Sequence, residues 1–338
     1  MEREPIINIK PLGSMWPVIN PFLFFAHHLD DYPEGNEQMG PKASLKGRNI
    51  GNDFTAKDGW RMYHGDTVPG FPVHPHRGFE TVTIVTTGFV DHSDSHGQAG
   101  RYSKGDVQWM TAGAGLQHSE MFPLLNMEDK NPLELFQIWL NLPKSKKFAA
   151  PHFKMLWAED IPIYRTTDEQ GKLTEVNVIA GSIDNVTALP PAPDSWAANT
   201  ENKVAIWTIR MDKGAQWKIP AATDSVNRML YFYKGVSITV NGTKVNSDQA
   251  IELRANEAVT ITNGDSESHL LLLQGKPILD PVVQYGPFVM NTQPEIQEAI
   301  GDYRKTEFGG WPWPSDSQVH PRTRGRFALH KDGTEEIR

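Results

Sequence analysis

The sequence predicts an all-β protein made of two similar β-barrels, with one short helix near its C-terminal end. Three observations support this fold class. Short strand-like stretches separated by tight turns recur between residues 72 and 273. A segment of the first half aligns without gaps with a segment of the second half, which indicates an internal repeat. A helix-capping sequence follows residue 290.

The N-terminal segment carries two apolar patches, Ile6–Ile9 and Phe22–Phe25, which are separated by prolines and predicted to be short strands. His27 and His28 follow the second patch. Adjacent side chains of a strand face opposite sides, so at most one of them can face a site, and we interpret both as ordinary strand residues. Residues 31–59 are rich in Gly, Pro, Asn and Asp with little periodicity, which predicts a surface loop.

Residues 72–143 alternate between strands and turns and are expected to form the first barrel. Their last strand, Leu133–Leu142, presents a continuous apolar face opposite a mixed one, as a barrel strand does. The polar stretch Asp91–Gly97 is predicted to be a hairpin tip. His92 and His96 are therefore expected to be exposed to solvent.

Two pairs of residues near the ends of this region predict a metal site. His74 and His76 are two apart on a strand and face the same side, and the same holds for His118 and Glu120. A barrel that folds one pair over the other brings four ligands together. Three imidazoles and one carboxylate suit iron, nickel, copper, manganese or zinc, and they leave open octahedral positions for catalysis.

Histidines two apart also occur as ordinary core residues, but two such pairs flanking a strand-turn-strand pattern favour a site. The identity of the carboxylate stays open on spacing alone. Glu80 shares the parity of His76 and lies four residues after it, so it is an alternative ligand to Glu120.

The internal repeat predicts that the second barrel lacks the metal. Asp106–Gly113 aligns without gaps with Glu257–Gly264, and in this register His118 falls opposite His269. The residues opposite the other three ligands are Ala221, Thr223 and Leu271. We therefore interpret His269 as structural.

Composition shifts divide the chain into four predicted parts. Pro190–Pro193 forms a proline cluster in the linker, and Asn241-Gly242 is a strong hairpin turn. Thr292-Gln-Pro-Glu295 has capping-box spacing, and an aromatic and basic tail after it either caps a barrel mouth or lies on the surface. The parts are a metal-binding barrel (1–150), a linker with an insertion (151–200), a C-terminal barrel without metal (201–292), and a helix with an extended tail (293–338).

The composition excludes several classes of function. The 338 residues contain no cysteine, which excludes disulfides, thiolate metal sites and cysteine nucleophiles. A net charge of −8 argues against a nucleic-acid partner, and the basic run Lys144–Lys147 is interpreted as a solvated turn. Without an apolar run of signal-peptide or membrane-spanning length, we expect a cytoplasmic protein that has no membrane partner.

Four stretches of the sequence resemble the pirin family of the cupin superfamily. The resemblance covers most of residues 5–312 and departs from the family in the loop at 31–59, near 159–200 and after 312. Those three stretches inherit no role from it. The matching stretches are His74–Val82, Gly105–Gly113, His118–Met121 and Gly286–Asn291.

The resemblance implies a bicupin, in which two cupin barrels pack together and the N-terminal one holds a single metal ion. The implied ligands match His74, His76, His118 and Glu120, with Glu80 beside them rather than bound. Iron(II) is the first expectation for the ion, and nickel, manganese, copper, cobalt and zinc are the alternatives.

The resemblance also implies two functions of different classes. Bacterial members of the family resemble quercetin 2,3-dioxygenase, which opens flavonols with O2 and releases carbon monoxide. In this reading Glu120 is the catalytic base, the partners are a small flavonol-like substrate and O2, and the protein acts as a monomer. Trp109, Met110 and Phe136 are candidate pocket walls, with ordinary core residues as the alternative interpretation. The alternative is a non-enzymatic, redox-sensing binding or regulatory protein with a protein partner.

Overall fold

The computed structural model describes residues 4–338, and β-strands predominate in it. The predicted all-β class is confirmed. The α-helix α1 spans Gln293–Thr306. The strands are β1 Ile6–Pro11, β2 Phe22–Tyr32, β3 Gly70–His76, β4 Phe79–Thr87, β5 Phe89–Asp94, β6 Ala99–Ser103, β7 Val107–Thr111, β8 Leu116–Met121, β9 Asn131–Asn141, β10 His152–Leu156, β11 Ile163–Thr167, β12 Leu173–Ala180, β13 Ser182–Ile183, β14 Val186–Thr187, β15 Ala205–Met211, β16 Gln216–Ile219, β17 Asn227–Lys234, β18 Ser237–Val240, β19 Thr243–Asn246, β20 Gln249–Arg254, β21 Val259–Asn263, β22 Ser268–Gly275, β23 Val283–Tyr285, β24 Phe288–Met290, β25 Phe327–Leu329 and β26 Glu335–Ile337.

Two local signals in the sequence form the predicted structures. Asn241 and Gly242 join β18 to β19 with φ values of 44° and 85°, and a two-residue hairpin of this kind needs positive φ at both positions. At the start of α1, Thr292 accepts a hydrogen bond from the backbone of Glu295, whose side chain accepts one from the backbone of Thr292. In the part of the chain that is described, no helix is long and apolar enough to cross a membrane.

The chain divides into two compact units, each built from separate segments. The second unit comprises the described residues up to Ala26, Ile138–Asn141 and Glu159–Leu279. The site-bearing unit comprises His27–Gln137, Leu142–Ala158 and Asp280–Arg338. The predicted boundaries are contiguous in sequence, whereas these units are not, and the four-part division stays a prediction.

The second unit contains a seven-stranded sheet, β1-β20-β17-β22-β15-β12-β11, and a four-stranded sheet, β16-β21-β18-β19. Its N-terminal strand β1 pairs antiparallel with β20. Buried aliphatic and aromatic side chains fill its core, among them Trp207, Leu230 and Ile261. His269 is partly exposed and hydrogen-bonds to Glu267 at 2.9 Å, as expected of a structural residue.

The site-bearing unit contains a six-stranded sheet, β26-β25-β6-β5-β8-β3, and most of a five-stranded sheet, β10-β7-β4-β9-β2. Large apolar side chains from both sheets form one core, including Tyr102, Leu135, Phe153 and Trp157. Each such side chain stabilises the fold by about 1.5–3 kcal/mol when it is fully buried. This core supports the polar residues that the next subsection describes.

The C-terminal tail belongs to this unit and extends its six-stranded sheet. Strand β25 pairs with β6, so that Phe327 lies opposite Arg101. The Arg101 guanidinium is fully buried, makes two hydrogen bonds to Asp91 at 2.6 and 2.7 Å, and donates to the carbonyl of His320 at 2.9 Å. The side chain of Trp313 donates to the carbonyl of Asp94 at 2.8 Å. The tail thus covers β5 and β6.

Candidate metal centre

Three histidines converge between the two sheets of the site-bearing unit. His74 and His76 lie on β3 and His118 on β8, and the two strands pair antiparallel with His74 opposite His118. One ligand atom from each residue lies within 4.8 Å of the others. The structure therefore brings together three of the four residues that the spacing selected, at distances one ion can bridge.

A β-bulge in β3 sets the orientation of His74. The pairing of β3 with β8 shifts between Phe71, opposite Glu120, and His74, opposite His118. Within the bulge, the carbonyl of Pro72 accepts a hydrogen bond from Nδ1 of His74 at 2.8 Å. Because Nδ1 carries the proton, Nε2 keeps the lone pair that a metal ion requires.

The hydrogen bonding of His118 indicates whether the site fits a metal cation. Its side chain is completely buried, and neither ring nitrogen has a hydrogen-bond partner among residues 4–338. Buried polar atoms are nearly always satisfied, so this imidazole lacks a partner that a metal ion would supply. The residues present therefore fit a bound metal ion.

Burial keeps the three imidazoles neutral. It lowers the pKa of His74 to about 4, despite the opposing hydrogen bond to Pro72. Burial also lowers the pKa values of His76 and His118 well below the ordinary histidine value, and the neighbouring histidines add to the effect. Neutral imidazole is the form that binds metal ions, so the site is ready for one at neutral pH.

Glu120 lies beside the histidines with its carboxylate held in place. Its Oε2 is 3.7 Å from Nε2 of His118 and accepts a hydrogen bond from Gln137 at 2.6 Å. The hydroxyl of Thr83 donates to Oε1 at 3.4 Å. Burial raises the pKa of Glu120 above the ordinary glutamate value. A buried carboxylate with a raised pKa suits a base.

Glu80 faces away from this carboxylate. It accepts hydrogen bonds from Trp109 at 3.2 Å and Thr111 at 2.8 Å, on the face of β4 opposite to Thr83. The spacing argument for Glu80 as a ligand is wrong, because a turn at Gly78 (φ 89°) interrupts the strand between β3 and β4. Parity counted from His76 does not carry across that turn.

Two of the three expected pocket walls also face elsewhere. Trp109 is fully buried on the Glu80 face of the sheet. Phe136 stacks on His27 and faces away from its neighbour Gln137, which contacts Glu120. Met110 has the parity of Gln108 and packs in a small buried cluster. Odd and even positions of a strand face opposite sides, so the sequence could have assigned these residues to the two faces once the strand boundaries were known.

His92 is a site neighbour that sequence reasoning missed. It was expected at an exposed hairpin tip, but β5 carries it into the interior, where it is completely buried opposite Glu120. Its ring lies 5.4 Å from that of His118, and its Nδ1 lies 3.3 Å from Nε2 of Gln108. His92 and Asp94 lie two apart and share one face of a strand, and this spacing was the signal in the sequence that could have placed His92 on a buried strand. His96 is partly exposed.

Two family models match the chain. The model described as Pirin matches residues 14–140, and the model described as the Pirin C-terminal cupin domain matches residues 206–309. Both halves of the chain therefore match the family that the sequence motifs resemble.

Individual proteins match over most of their length. The chain is 35% identical over 246 residues to a Pseudomonas aeruginosa protein named "Putative quercetin 2,3-dioxygenase", covering 71% of this chain and 80% of that protein. It is 36% identical over 242 residues to Pirin-1 of Arabidopsis thaliana, covering 71% and 78%. The solved structure of quercetin 2,3-dioxygenase from Acinetobacter baumannii matches with a TM-score of 0.70 and 28% identity, covering 90% of this chain and 98% of that one.

Proposed function

The chain belongs to the pirin family, and from that premise we propose that it is a metal-dependent dioxygenase that opens flavonols such as quercetin with O2. The observation that carries the proposal is the convergence of His74, His76 and His118 next to the buried carboxylate of Glu120. These four residues are proposed to hold one divalent ion, with iron(II) as the first expectation. Nickel, manganese, copper, cobalt and zinc suit the same donors.

The bound metal would act as a Lewis acid that stabilises the negative charge on the substrate's 3-oxygen. Three imidazoles and one carboxylate would still leave coordination positions open for an oxygen atom of the substrate. The partly exposed His74 lies on the open side of the site, whereas His76 and His118 are buried. A flat substrate therefore approaches past His74.

Glu120 is the proposed base. Gln137 holds Oε2 at 2.6 Å, whereas the contact of Thr83 with Oε1 is longer, at 3.4 Å. Oε1 is therefore the atom better placed to take the proton of the flavonol 3-hydroxyl. Burial raises the pKa of this carboxyl, which brings its proton affinity closer to that of the hydroxyl it would deprotonate.

A turnover assay tests the proposal. Metal-loaded protein is mixed with quercetin and O2, and loss of flavonol absorbance and release of carbon monoxide are followed. We expect turnover in the natural protein and at least a hundredfold loss in Glu120→Gln, with Glu298→Gln as the matched exposed control. A fully metallated protein that consumes no flavonol would contradict the enzyme and favour the redox-sensing binding protein. The cytoplasmic location and the monomeric state stay predictions.

A further inference from the structure

Beside His74 lies an aromatic rim, which we define as Phe54, His64 and Phe71. The ring centroids are 4.9 Å apart between Phe54 and His64 and 5.8 Å apart between His64 and Phe71. Phe71 lies 6.3 Å from the ring of His74. The rim thus leads from the protein surface to the partly exposed histidine of the candidate metal centre.

The bulge that orients His74 also places Phe71. Without it, the two residues lie three apart on a strand and would face opposite sides. The register shift sets Phe71 opposite Glu120 and His74 opposite His118, so both side chains share one face. One irregularity therefore positions a metal ligand and an aromatic ring together.

Phe54 reaches the rim from the loop at 31–59, to which the family resemblance assigns no role. The guanidinium of Arg48 secures this loop by hydrogen-bonding to Asp53 at 3.0 Å and stacking 3.2 Å from the ring centre of Trp60. Asp53 in turn pairs with Tyr63 through backbone hydrogen bonds of 2.8 and 3.0 Å. The loop is therefore fixed in the position that brings Phe54 to the site.

Tyr63 packs against the buried side of the rim and has a strained backbone conformation. Its φ is 57°, a region that bulky residues rarely occupy. Its hydroxyl donates to Asp30 at 2.6 Å, and Asp30 also binds Arg61 at 3.0 Å. The ring of Tyr63 lies 5.2 Å from Phe71 and 5.6 Å from Phe54. This buried network holds both rim rings in place.

The rim offers an aromatic surface and a hydrogen-bond acceptor to solvent. Phe54 is 47% exposed, and His64 is exposed as well. Nδ1 of His64 donates to the carbonyl of Gly51 at 2.8 Å, so in the neutral ring Nε2 is an acceptor. Exposed aromatic rings that are rigidly held beside an open site are typical of ligand-binding surfaces.

We propose that the aromatic rim is the subsite that selects planar, hydroxylated aromatic substrates. Phe54 and Phe71 stack on the ligand, and Nε2 of His64 accepts a hydrogen bond from a hydroxyl on the part of the ligand far from the metal. This inference rests on the proposed function and deepens it, because it names the residues that determine the substrate. It concerns binding, so it can be measured without turnover.

The experiment measures ligand binding by the metal-loaded full chain in the absence of O2, using tryptophan fluorescence. The probes are quercetin and 3-hydroxyflavone, which lacks the distal hydroxyls. We expect Phe54→Ala to weaken the binding of both about 3- to 10-fold, the contribution of a stacked aromatic pair. Phe148→Ala is the control, because Phe148 is similarly exposed at 54% but lies outside the rim. It should bind both probes like the natural protein.

His64→Phe keeps the ring and removes the acceptor. We expect it to weaken quercetin about 3- to 10-fold and to leave 3-hydroxyflavone unchanged. The subsite would be overturned if Phe54→Ala bound quercetin as tightly as the natural protein does. It would also be overturned if the natural protein bound neither probe. Admitting O2 afterwards separates the two proposals. Tight binding that depends on the rim, without consumption of flavonol, rejects the dioxygenase and supports the subsite. Turnover that is unaltered in Phe54→Ala supports the dioxygenase and rejects the subsite.

Discussion

The carbonyl oxygen of Pro72 accepts a hydrogen bond from Nδ1 of His74, two residues further along the same strand, at 2.8 Å. The bulge that makes this contact also brings His74 opposite His118. The proton position on His74 is therefore set by the protein before any metal binds. Hydrogen bonds of this kind orient metal-binding histidines and fix their tautomer.

Replacing a candidate ligand should remove the metal but keep the fold. We expect purified His76→Ala to lose the single bound equivalent, because the remaining ligands no longer surround the ion. Metal analysis alongside circular dichroism measures both properties. His269→Ala, at the repeat position of His118 in the second unit, is the control and should keep its metal. A His76→Ala protein that still carries one equivalent would exclude the proposed ligand set.

Gln137 should tune activity without binding the metal. Its Nε2 donates to Oε2 of Glu120 at 2.6 Å, so Gln137→Leu releases one oxygen of the proposed base. We expect turnover to fall about 10- to 100-fold while one equivalent of metal remains bound. Gln216→Leu changes an exposed glutamine of the second unit and should leave turnover unchanged. Full activity in Gln137→Leu would mean that Glu120 needs no such support.

The buried pair of Arg101 and Asp91 should hold the C-terminal tail against strands β5 and β6 of the same unit. Arg101→Met leaves the buried Asp91 carboxylate without its positively charged partner, with the backbone N–H of His320 as its remaining donor, and we expect a loss of about 3–5 kcal/mol in the free energy of unfolding. Urea denaturation measures it. Arg165→Met breaks an exposed pair with Glu175 and should cost below about 1 kcal/mol. The prediction fails if the two variants unfold alike.

Lys147 should make stability depend on pH in the alkaline range. The sequence predicted a solvated turn at Lys144–Lys147, which is correct for the first three residues, but Lys147 itself is 1% exposed and donates to the Gly78 carbonyl at 2.7 Å. Burial lowers its pKa from 10.5 to about 7. Between these values the unfolded chain binds more protons than the folded one, so stability rises with pH by up to about 1.4 kcal/mol per unit.

This rise should disappear in Lys147→Met, which has no proton to release. Lys146→Met, which changes the exposed neighbour, should keep it. Thermal or urea unfolding between pH 7 and pH 10 compares the three proteins. Parallel pH profiles for the natural protein and Lys147→Met would show that this lysine is not the source.

Local patterns in the sequence predicted much of the molecule. Alternation along single strands placed His74 with His76, and the hairpin at Asn241 and the capping box at Thr292 formed as expected. These signals succeed because they depend on backbone preferences and contacts within a few residues. The wrong predictions concerned where one strand or turn ends and the next begins. His92 was assigned to an exposed hairpin tip but lies in β5. Parity failed for Glu80, where a turn separates two strands.

Residue types and short spacings alone determined that the chain is an all-β protein and that His74, His76 and His118 are candidates to bind one metal ion. Only the tertiary structure decided which face each neighbouring side chain occupies. It buried His92 beside the site under the tail that follows α1, and it brought Phe54 from the loop at 31–59 to the aromatic rim. The physical reason is that strand register, bulges and burial arise from pairing between segments far apart in sequence, which no local pattern records.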